Sequence, residues 1–325
     1  MNDKTLIINP KILLLFTAIL FVLQSCAVKK FIPEGERLYT GATVEILADS
    51  VIKNQANLEA VLEEALRPQP NKKILGMRPG LHFYYKMQQE NPGFINRFFF
   101  KKIGEKPVYQ SDVTPYEVEE ILLNRMENRG FFYSEVSSEF KEKEKEASAI
   151  YTVKAPTPYT IASYQVDSLP QPIYPRIQHS VANSKLKTGM RFDLSSLKLE
   201  RERIDLDLKQ QGYYNFNSGF LIFEADTNQY NKKRFDLFLR LKKDVPQKAI
   251  VPYKVSKINV YANYDAQDTT VTDVTEFNGR YYINSASHFK PKYLDPFITL
   301  EEEKRYSPED SRNTARRLST IGAYK

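Results

Sequence analysis

The sequence is poor in the residues on which most catalytic and metal sites depend. In 325 residues it has one cysteine, three histidines and no tryptophan. A single cysteine excludes an intrachain disulfide, and His82, His179 and His288 have no metal-ligating neighbours at helical or loop spacing. No nucleophile elbow, P-loop or dinucleotide-binding motif occurs, and Asp205 and Asp207 are expected to be solvent-exposed. We therefore expect no catalytic residue, no cofactor and no metal.

Long apolar runs are also missing, except for one near the amino terminus. The run from Ile12 to Leu23 follows two lysines, and its 12 residues are too short for a bilayer core but suit a secretory signal peptide. It ends in Leu23-Gln24-Ser25-Cys26, which looks like a lipobox. This resemblance implies a signal peptide over residues 1–25, a lipid attached to Cys26 and a tether over residues 26–37. An ordinary signal peptide with a chance cysteine is the alternative.

The chain is basic, with a formal net charge of +7. A basic balance would normally suggest nucleic acid, but export from the cytoplasm argues against that partner. The length suits two or three modest domains.

Three segments share one strand-like pattern, in which apolar and polar residues alternate after a small fourth residue. They begin at Tyr39, Tyr159 and Tyr253. Charged or proline-bearing stretches before the copies indicate joints. The predicted domains are therefore 38–157, 158–246 and 252–325.

A helix with capping signals is expected downstream of each strand. In the first copy Thr114-Pro115-Tyr116-Glu117 predicts a capping box and Gly130 the end. The second copy is expected to start at Ser195 or Ser196 and end at Gly212, and the third to start at Ser307 and end at Gly322. The expected apolar face of the first helix comprises Val118, Ile121, Leu122 and Met126. The residues four before the glycines are Met126, Leu208 and Leu318, and those two after are Phe132, Tyr214 and Tyr324.

The first two copies then predict a hairpin, from 132–140 to 149–153 and from 214–223 to 235–241. The first copy also has an earlier helix, which we expect Asn57 to cap. The predicted fold class is α+β, with tandem β-α-α-β-β units, each a three-stranded sheet covered by two helices. The third copy stops at Lys325 where its hairpin should begin, so we interpret it as incomplete and the chain end as artificial, mutational or internal to a longer chain.

This pattern resembles the polypeptide-transport-associated (POTRA) domains of the BamA/TamA family of outer-membrane assembly factors. The similarity rests on the strand openings and on the segments Arg129-Gly130-Phe131-Phe132, Gln211-Gly212-Tyr213-Tyr214 and Tyr306-Ser307-Pro308, and covers nearly all of the mature chain. With the lipobox, it is most similar to the lipidated TamA-like branch, although the membrane β-barrel of that family is missing.

The resemblance implies a periplasmic arm that receives client polypeptides and passes them to a membrane barrel. The implied partners are outer-membrane client proteins and an inner-membrane TamB-like protein, and the implied place is the periplasmic side of the outer membrane, anchored through Cys26. Clients would pair with exposed sheet edges by β-augmentation; such edges can equally be solvated or guarded. The candidate edge residues are Phe132, Val136, Phe140, Tyr214, Phe216, Phe220 and Ile222.

An insertion over residues 71–109 separates the helices of the first copy. It holds eight basic residues, two acidic ones and eight aromatic ones. This mixture suits anionic lipid head groups, but it also suits an elaboration whose aromatic residues pack on the first domain. The candidate membrane-surface residues are Lys72, Lys73, Arg78, Arg97, Lys101 and Lys102.

Two rival functions remain open from the sequence. One is a barrel-less periplasmic scaffold or binding lipoprotein that docks partner proteins. The other is an envelope lipoprotein that captures glycans, which the 21 tyrosines support only weakly.

Overall fold

The computed structural model describes residues 28–166, 170–230, 233–262, 271, 273–283 and 289–322. The predicted signal peptide, Cys26, His288 and Tyr324 lie outside these ranges. The chain divides into two compact units at Thr157 and Pro158, and each unit is described by itself. The α+β class is confirmed, because three three-stranded sheets are each accompanied by helices.

The first sheet has the strand order β1-β3-β2. Its strands are β1 (Leu38–Ala48), β2 (Glu135–Lys143) and β3 (Glu146–Ala155). The central strand β3 pairs in parallel with β1 and antiparallel with β2. The hairpin turn is shorter than the gap between the predicted ranges 132–140 and 149–153, since only Glu144 and Lys145 lie between β2 and β3.

Four helices accompany this sheet. They are α1 (Gln55–Ala65), α2 (Pro79–Met87), α3 (Phe94–Ile103) and α4 (Pro115–Glu127). The core lies between the sheet and the pair α1 and α4, where Leu62, Leu122 and Met126 are fully buried. Helices α2 and α3 form the insertion between them.

The second sheet repeats the arrangement in the other unit, with the order β4-β6-β5. Its elements are β4 (Thr160–Val166), α5 (Tyr174–Ala182), α6 (Leu194–Gln210), β5 (Leu221–Asp226) and β6 (Arg234–Leu241). Strand β6 has the period of two of a strand with one buried face, because Phe235, Leu237 and Leu239 are buried. The small fourth residue of both strand openings coincides with a register irregularity, between Tyr39 and Ala42 and between Ile161 and Ser163.

Several predicted helix caps are wrong. Helix α1 begins after Asn54, whose φ is 60°, while Asn57 lies in the first turn and accepts a hydrogen bond from Arg129. Thr114 precedes α4 but its side chain caps no backbone group. The N-cap of α6 is Asp193, which accepts from Ser196 N at 2.8 Å. A carboxylate satisfies this free amide as well as a serine hydroxyl would.

The glycine stops of the first two copies are confirmed, but the aromatic position is not. Gly130 and Gly212 have φ of 83° and 93°, which a glycine adopts without the steric cost of a Cβ. The fully packed aromatic residue directly follows the glycine, at Phe131 (0% exposed) and Tyr213 (4%), one position before Phe132 and Tyr214. The left-handed conformation of the glycine turns the chain so that the side chain of the next residue enters the core.

The third sheet differs from the expectation of a single strand. It has the order β7-β9-β8, with β7 (Asn259–Tyr261), β8 (Val274–Phe277) and β9 (Arg280–Ile283). The hairpin turns at Asn278 and Gly279, whose φ values of 50° and 70° fit an Asn-Gly turn. It precedes the helices α7 (Pro291–Leu294) and α8 (Pro308–Ser319).

Helix α8 begins as predicted, because Ser307 Oγ accepts from Asp310 N at 3.2 Å. Thr314 lies eight residues before Gly322 and accepts from Thr299 N at 2.9 Å, whereas Leu122 and Ile204, at the same spacing before Gly130 and Gly212, are buried apolar residues. Gly322 lacks the positive φ of the other two glycine stops. No helix in the described part of the chain has both the length and the apolar character needed to cross a bilayer.

Candidate peptide-binding edges of the first two sheets

Strand β5 lies at the edge of the second sheet, and its backbone alternates between β6 and the outside. Lys242 N donates to Phe220 O at 2.9 Å, and the antiparallel register runs on from this pair. Because hydrogen-bonded and non-bonded pairs alternate, Ile222 and Glu224 face β6, whereas Leu221, Phe223 and Ala225 direct their amides and carbonyls outward.

One of these three outward positions is already occupied. Leu221 N donates to Ser218 O within a short 3-10 turn, and Leu221 O accepts from Arg201 Nη1 at 3.1 Å. Among the residues that the structure covers, the outward groups of Phe223 and Ala225 have no strand partner. Two consecutive outward positions are therefore open to a further strand.

A groove runs beside this open edge, between β5 and the start of α6. Its volume is about 220 Å³. Apolar side chains form most of it, and Lys198 and Arg201 add positive charge. The lining also includes Phe192, Leu197, Phe223, Ala225 and Leu237. A strand added to β5 would place every second side chain in this groove.

Strand β2 occupies the equivalent edge of the first sheet. Asp49 N donates to Ala155 O, so alternate residues of β3 face β1 and those between them face β2. The register then directs the backbone groups of Val136, Ser138 and Phe140 outward. These groups have no strand partner within the described part of the first unit.

The β2 edge is better guarded than the β5 edge. Ser138 Oγ donates to Glu119 Oε1 of α4 at 2.5 Å, which closes the space between strand and helix. Glu142 pairs with Arg37 at 3.1 Å, and Lys154 pairs with Glu135 at 2.9 Å. Charged side chains of this kind are a common protection of edge strands.

The structure alters several of the predicted edge residues. Tyr214, Phe216 and Phe220 precede β5 rather than lying on it, because the chain first forms the 3-10 turn Ser218–Phe220. Phe216 is 2% exposed in the core. Phe132 likewise lies in the turn before β2.

The remaining edge predictions fall on the strands. Val136 and Phe140 lie on β2 with side chains packed against the core, and Ile222 lies on β5 and is exposed. The sequence missed Phe223 and Ala225, whose position depends on where the loop after Gly212 ends.

Five of the six predicted surface cations of the insertion are exposed, namely Lys72, Lys73, Arg97, Lys101 and Lys102. Arg78 is the exception, since it is 8% exposed and its Nη1 lies 3.4 Å from Glu146 Oε1. It therefore fastens the insertion to β3 and does not belong to a surface patch.

The two neighbouring aspartates of α6 take part in packing contacts, so the expectation of solvent exposure is wrong for Asp205, which is 8% exposed. Lys209 Nζ lies 3.0 Å from its Oδ2, and Asp207 accepts a hydrogen bond from Ser180 Oγ on α5. The first contact lies within α6, and the second joins α5 to α6. Within the described ranges, no group of three or more His, Cys, Asp or Glu side chains is placed to hold a metal.

No protein-family model matches the sequence, and no curated protein is similar to it. Several solved structures described as POTRA-domain fragments align with most of this chain. POTRA3-5 of BamA from Haemophilus influenzae shares 11% identity over 90% of this chain and 89% of that one, with a TM-score of 0.37. POTRA1-3 of Omp85 from Anabaena shares 10% over 89% and 87%, with a TM-score of 0.31. Such values are too low to transfer a function.

Proposed function

We propose that this chain is the periplasmic arm of an outer-membrane protein assembly or translocation factor. It binds client polypeptides by β-augmentation and passes them to a membrane barrel. The observation that carries the proposal is the open edge of β5, where Phe223 and Ala225 direct unpaired backbone groups outward beside an apolar groove. Main-chain pairing suits a receptor of many clients because it is largely independent of the client sequence.

The proposal gives the edges of β5 and β2 different roles in client binding. β5 is the primary client site because its groove is open, whereas the hydrogen bond between Ser138 and Glu119 closes the corresponding space beside β2. The lipobox-like motif supports an exported, lipid-anchored protein on the periplasmic side of the outer membrane. A TamB-like protein of the inner membrane is proposed as a partner on the family resemblance alone.

A proline at Ala225 tests the client site. Proline removes the outward N–H and leaves every β5–β6 hydrogen bond in place, as is tolerated on an edge strand. The probe is a peptide of about ten alternating apolar and polar residues, the pattern of an outer-membrane barrel strand. We expect Ala225→Pro in the mature chain to weaken binding by about fivefold or more, from the ~1 kcal/mol that one hydrogen bond contributes.

Ala225→Val is the matched control, since it changes the side chain but keeps the N–H. The proposal requires Ala225→Val, whose side chain lines the groove, to bind at least fivefold more tightly than Ala225→Pro, with the same unfolding transition for both variants. Equal binding by all three proteins would exclude strand addition at β5. Loss of binding in the valine variant as well would indicate a side-chain contact, as in a scaffold that docks folded partners.

A further inference from the structure

Helix α3 turns a largely apolar face to solvent. None of its ten residues is buried, and Phe94, Ile95 and Phe98 are 82%, 66% and 45% exposed. The neighbouring helix α2 behaves differently, since its Leu81 and Tyr85 are 0% and 7% exposed. Of the α3 rings, Phe99 stacks on Phe83 of α2 with centroids 5.0 Å apart, whereas Phe94 and Phe98 remain largely exposed.

The same helix carries only positive charge. Its charged residues are Arg97, Lys101 and Lys102, with no acidic residue between Phe94 and Ile103. Lys102 Nζ lies 4.8 Å from the centre of the Phe98 ring, so this ammonium group makes a cation–π contact on the apolar face. An apolar face with basic residues beside it is typical of a helix that lies in a membrane interface.

A second apolar segment adjoins the carboxyl end of α3. Ile74 and Leu75 are 54% and 90% exposed in a tight turn. Ile74 lines one surface cavity together with Lys102 and Ile103. The exposed apolar surface therefore continues past the helix onto this turn.

The insertion is fastened to the start of the described chain. Val28 and Ile32 are 8% and 5% exposed against Leu81 and Tyr85 of α2. The Phe31 ring stacks on Tyr85 with centroids 5.5 Å apart. Residues 28–32 thus hold a fixed position beside the helix that supports α3.

Covalent geometry limits the distance from this segment to the proposed lipid. Cys26 is two residues before Val28, so their Cα atoms are at most about 7 Å apart. If Cys26 is acylated, the segment that packs against α2 therefore begins close to the level of the head groups.

We infer that α3 and the turn at Ile74 and Leu75 form an interfacial contact with an anionic phospholipid surface. The apolar face, centred on Phe94 and Phe98, enters the head-group layer, and Arg97 and Lys101 contact lipid phosphates. The inference is independent of client binding. It uses acylation of Cys26 only to bring the helix close to a membrane. The test therefore uses a protein without the acyl anchor.

The test uses the absence of tryptophan from the chain. Phe94→Trp is prepared in the mature chain with Cys26→Ser, and tryptophan emission is followed as phosphatidylglycerol-containing vesicles are added. Tyr116→Trp is the matched control, because Tyr116 is 68% exposed on another helix of the same unit. We expect a blue shift and quenching by brominated lipid for the tryptophan at 94, and neither for the one at 116.

A separate experiment tests whether membrane binding requires the positive charges of α3. Adding Arg97→Gln and Lys101→Gln to Phe94→Trp should weaken the partition by about thirtyfold, at about fivefold for each cation lost. Raised salt should weaken it as well. Equal binding to purely zwitterionic vesicles would overturn the anionic specificity.

Two results would overturn the proposal as a whole. One is an unchanged emission of the tryptophan at 94 with every vesicle, or an equal shift at both positions. The other is a blue shift that depends on protein concentration without vesicles, because the face would then bind a second copy of the chain. Failure of a peptide to bind at β5 would not bear on the membrane contact of α3, because the two sites are different.

Discussion

Gly212→Ala is expected to loosen the contact between the second repeat and the segment that begins the third. Gly212 O accepts from Tyr253 N at 2.7 Å, and a Cβ at position 212 would lie 3.0 Å from Tyr253 O. That oxygen is already held by Tyr306 N at 3.0 Å. The Tyr214 ring meets Tyr306 edge-on at 4.8 Å, so the site is closed on this side too. The carbonyl cannot move away without breaking a hydrogen bond.

The magnitude has two parts. A left-handed φ costs a non-glycine residue about 1–3 kcal/mol, and Gly212 has a φ of 93°. Displacing Tyr253 then removes one hydrogen bond, or about 1 kcal/mol more. Gly189 isolates the first part, because its φ is 83° and a Cβ there would meet nothing within 4 Å.

Amide hydrogen exchange of the mature chain is the assay. Gly212→Ala should speed exchange at the amides of Tyr253 and Tyr306 by about fivefold relative to Gly189→Ala. Both variants should lose a similar amount of stability from backbone strain. Equal protection of these two amides in both variants would refute the close contact and leave only the backbone effect.

Two further predictions concern stability. Met126→Ala should lower the free energy of unfolding by about 2–5 kcal/mol because Met126 is fully buried. Ile121→Ala, from the same predicted face, should cost less than about 1 kcal/mol because Ile121 is 39% exposed; similar urea midpoints would contradict this. Burial raises the pKa of Asp295, but hydrogen bonds from Arg280, Tyr282 and an asparagine outweigh it and hold the pKa below its usual value. This stabilisation is present above about pH 4 and is lost as the pH falls through the folded pKa. Asp295→Asn should therefore reduce the pH dependence of urea unfolding in acid. An unchanged pH dependence would contradict the stabilising role of Asp295.

The repeated unit could be predicted because its signals are local. Alternation of apolar residues located β1, β4 and β6, and the glycines at 130 and 212 marked the ends of α4 and α6. A single sequence shows both features directly: glycine marks a position where a positive φ is allowed, and the spacing of apolar residues gives the period of the strand or helix. The sequence therefore determined the order of elements in the first two sheets.

The errors occurred where several local solutions compete. The loop after Gly212 could extend as a strand or fold into a 3-10 turn, and burial of Phe216 decides for the turn. The Asn278-Gly279 hairpin was detectable, since Asn-Gly between alternating residues is a strong turn signal. Burial of Arg78 was not, because Glu146 lies far away in the sequence.

Backbone exchange along β5 tests the central claim most directly. A bound client strand should slow amide exchange at Phe223 and Ala225, which face outward, and leave Ile222 and Glu224 unchanged, because these already pair with β6. This alternation, measured residue by residue with the barrel-strand peptide, is the result the account predicts. Uniform slowing along β5, or slowing only at α6 and the groove side chains, would contradict strand addition.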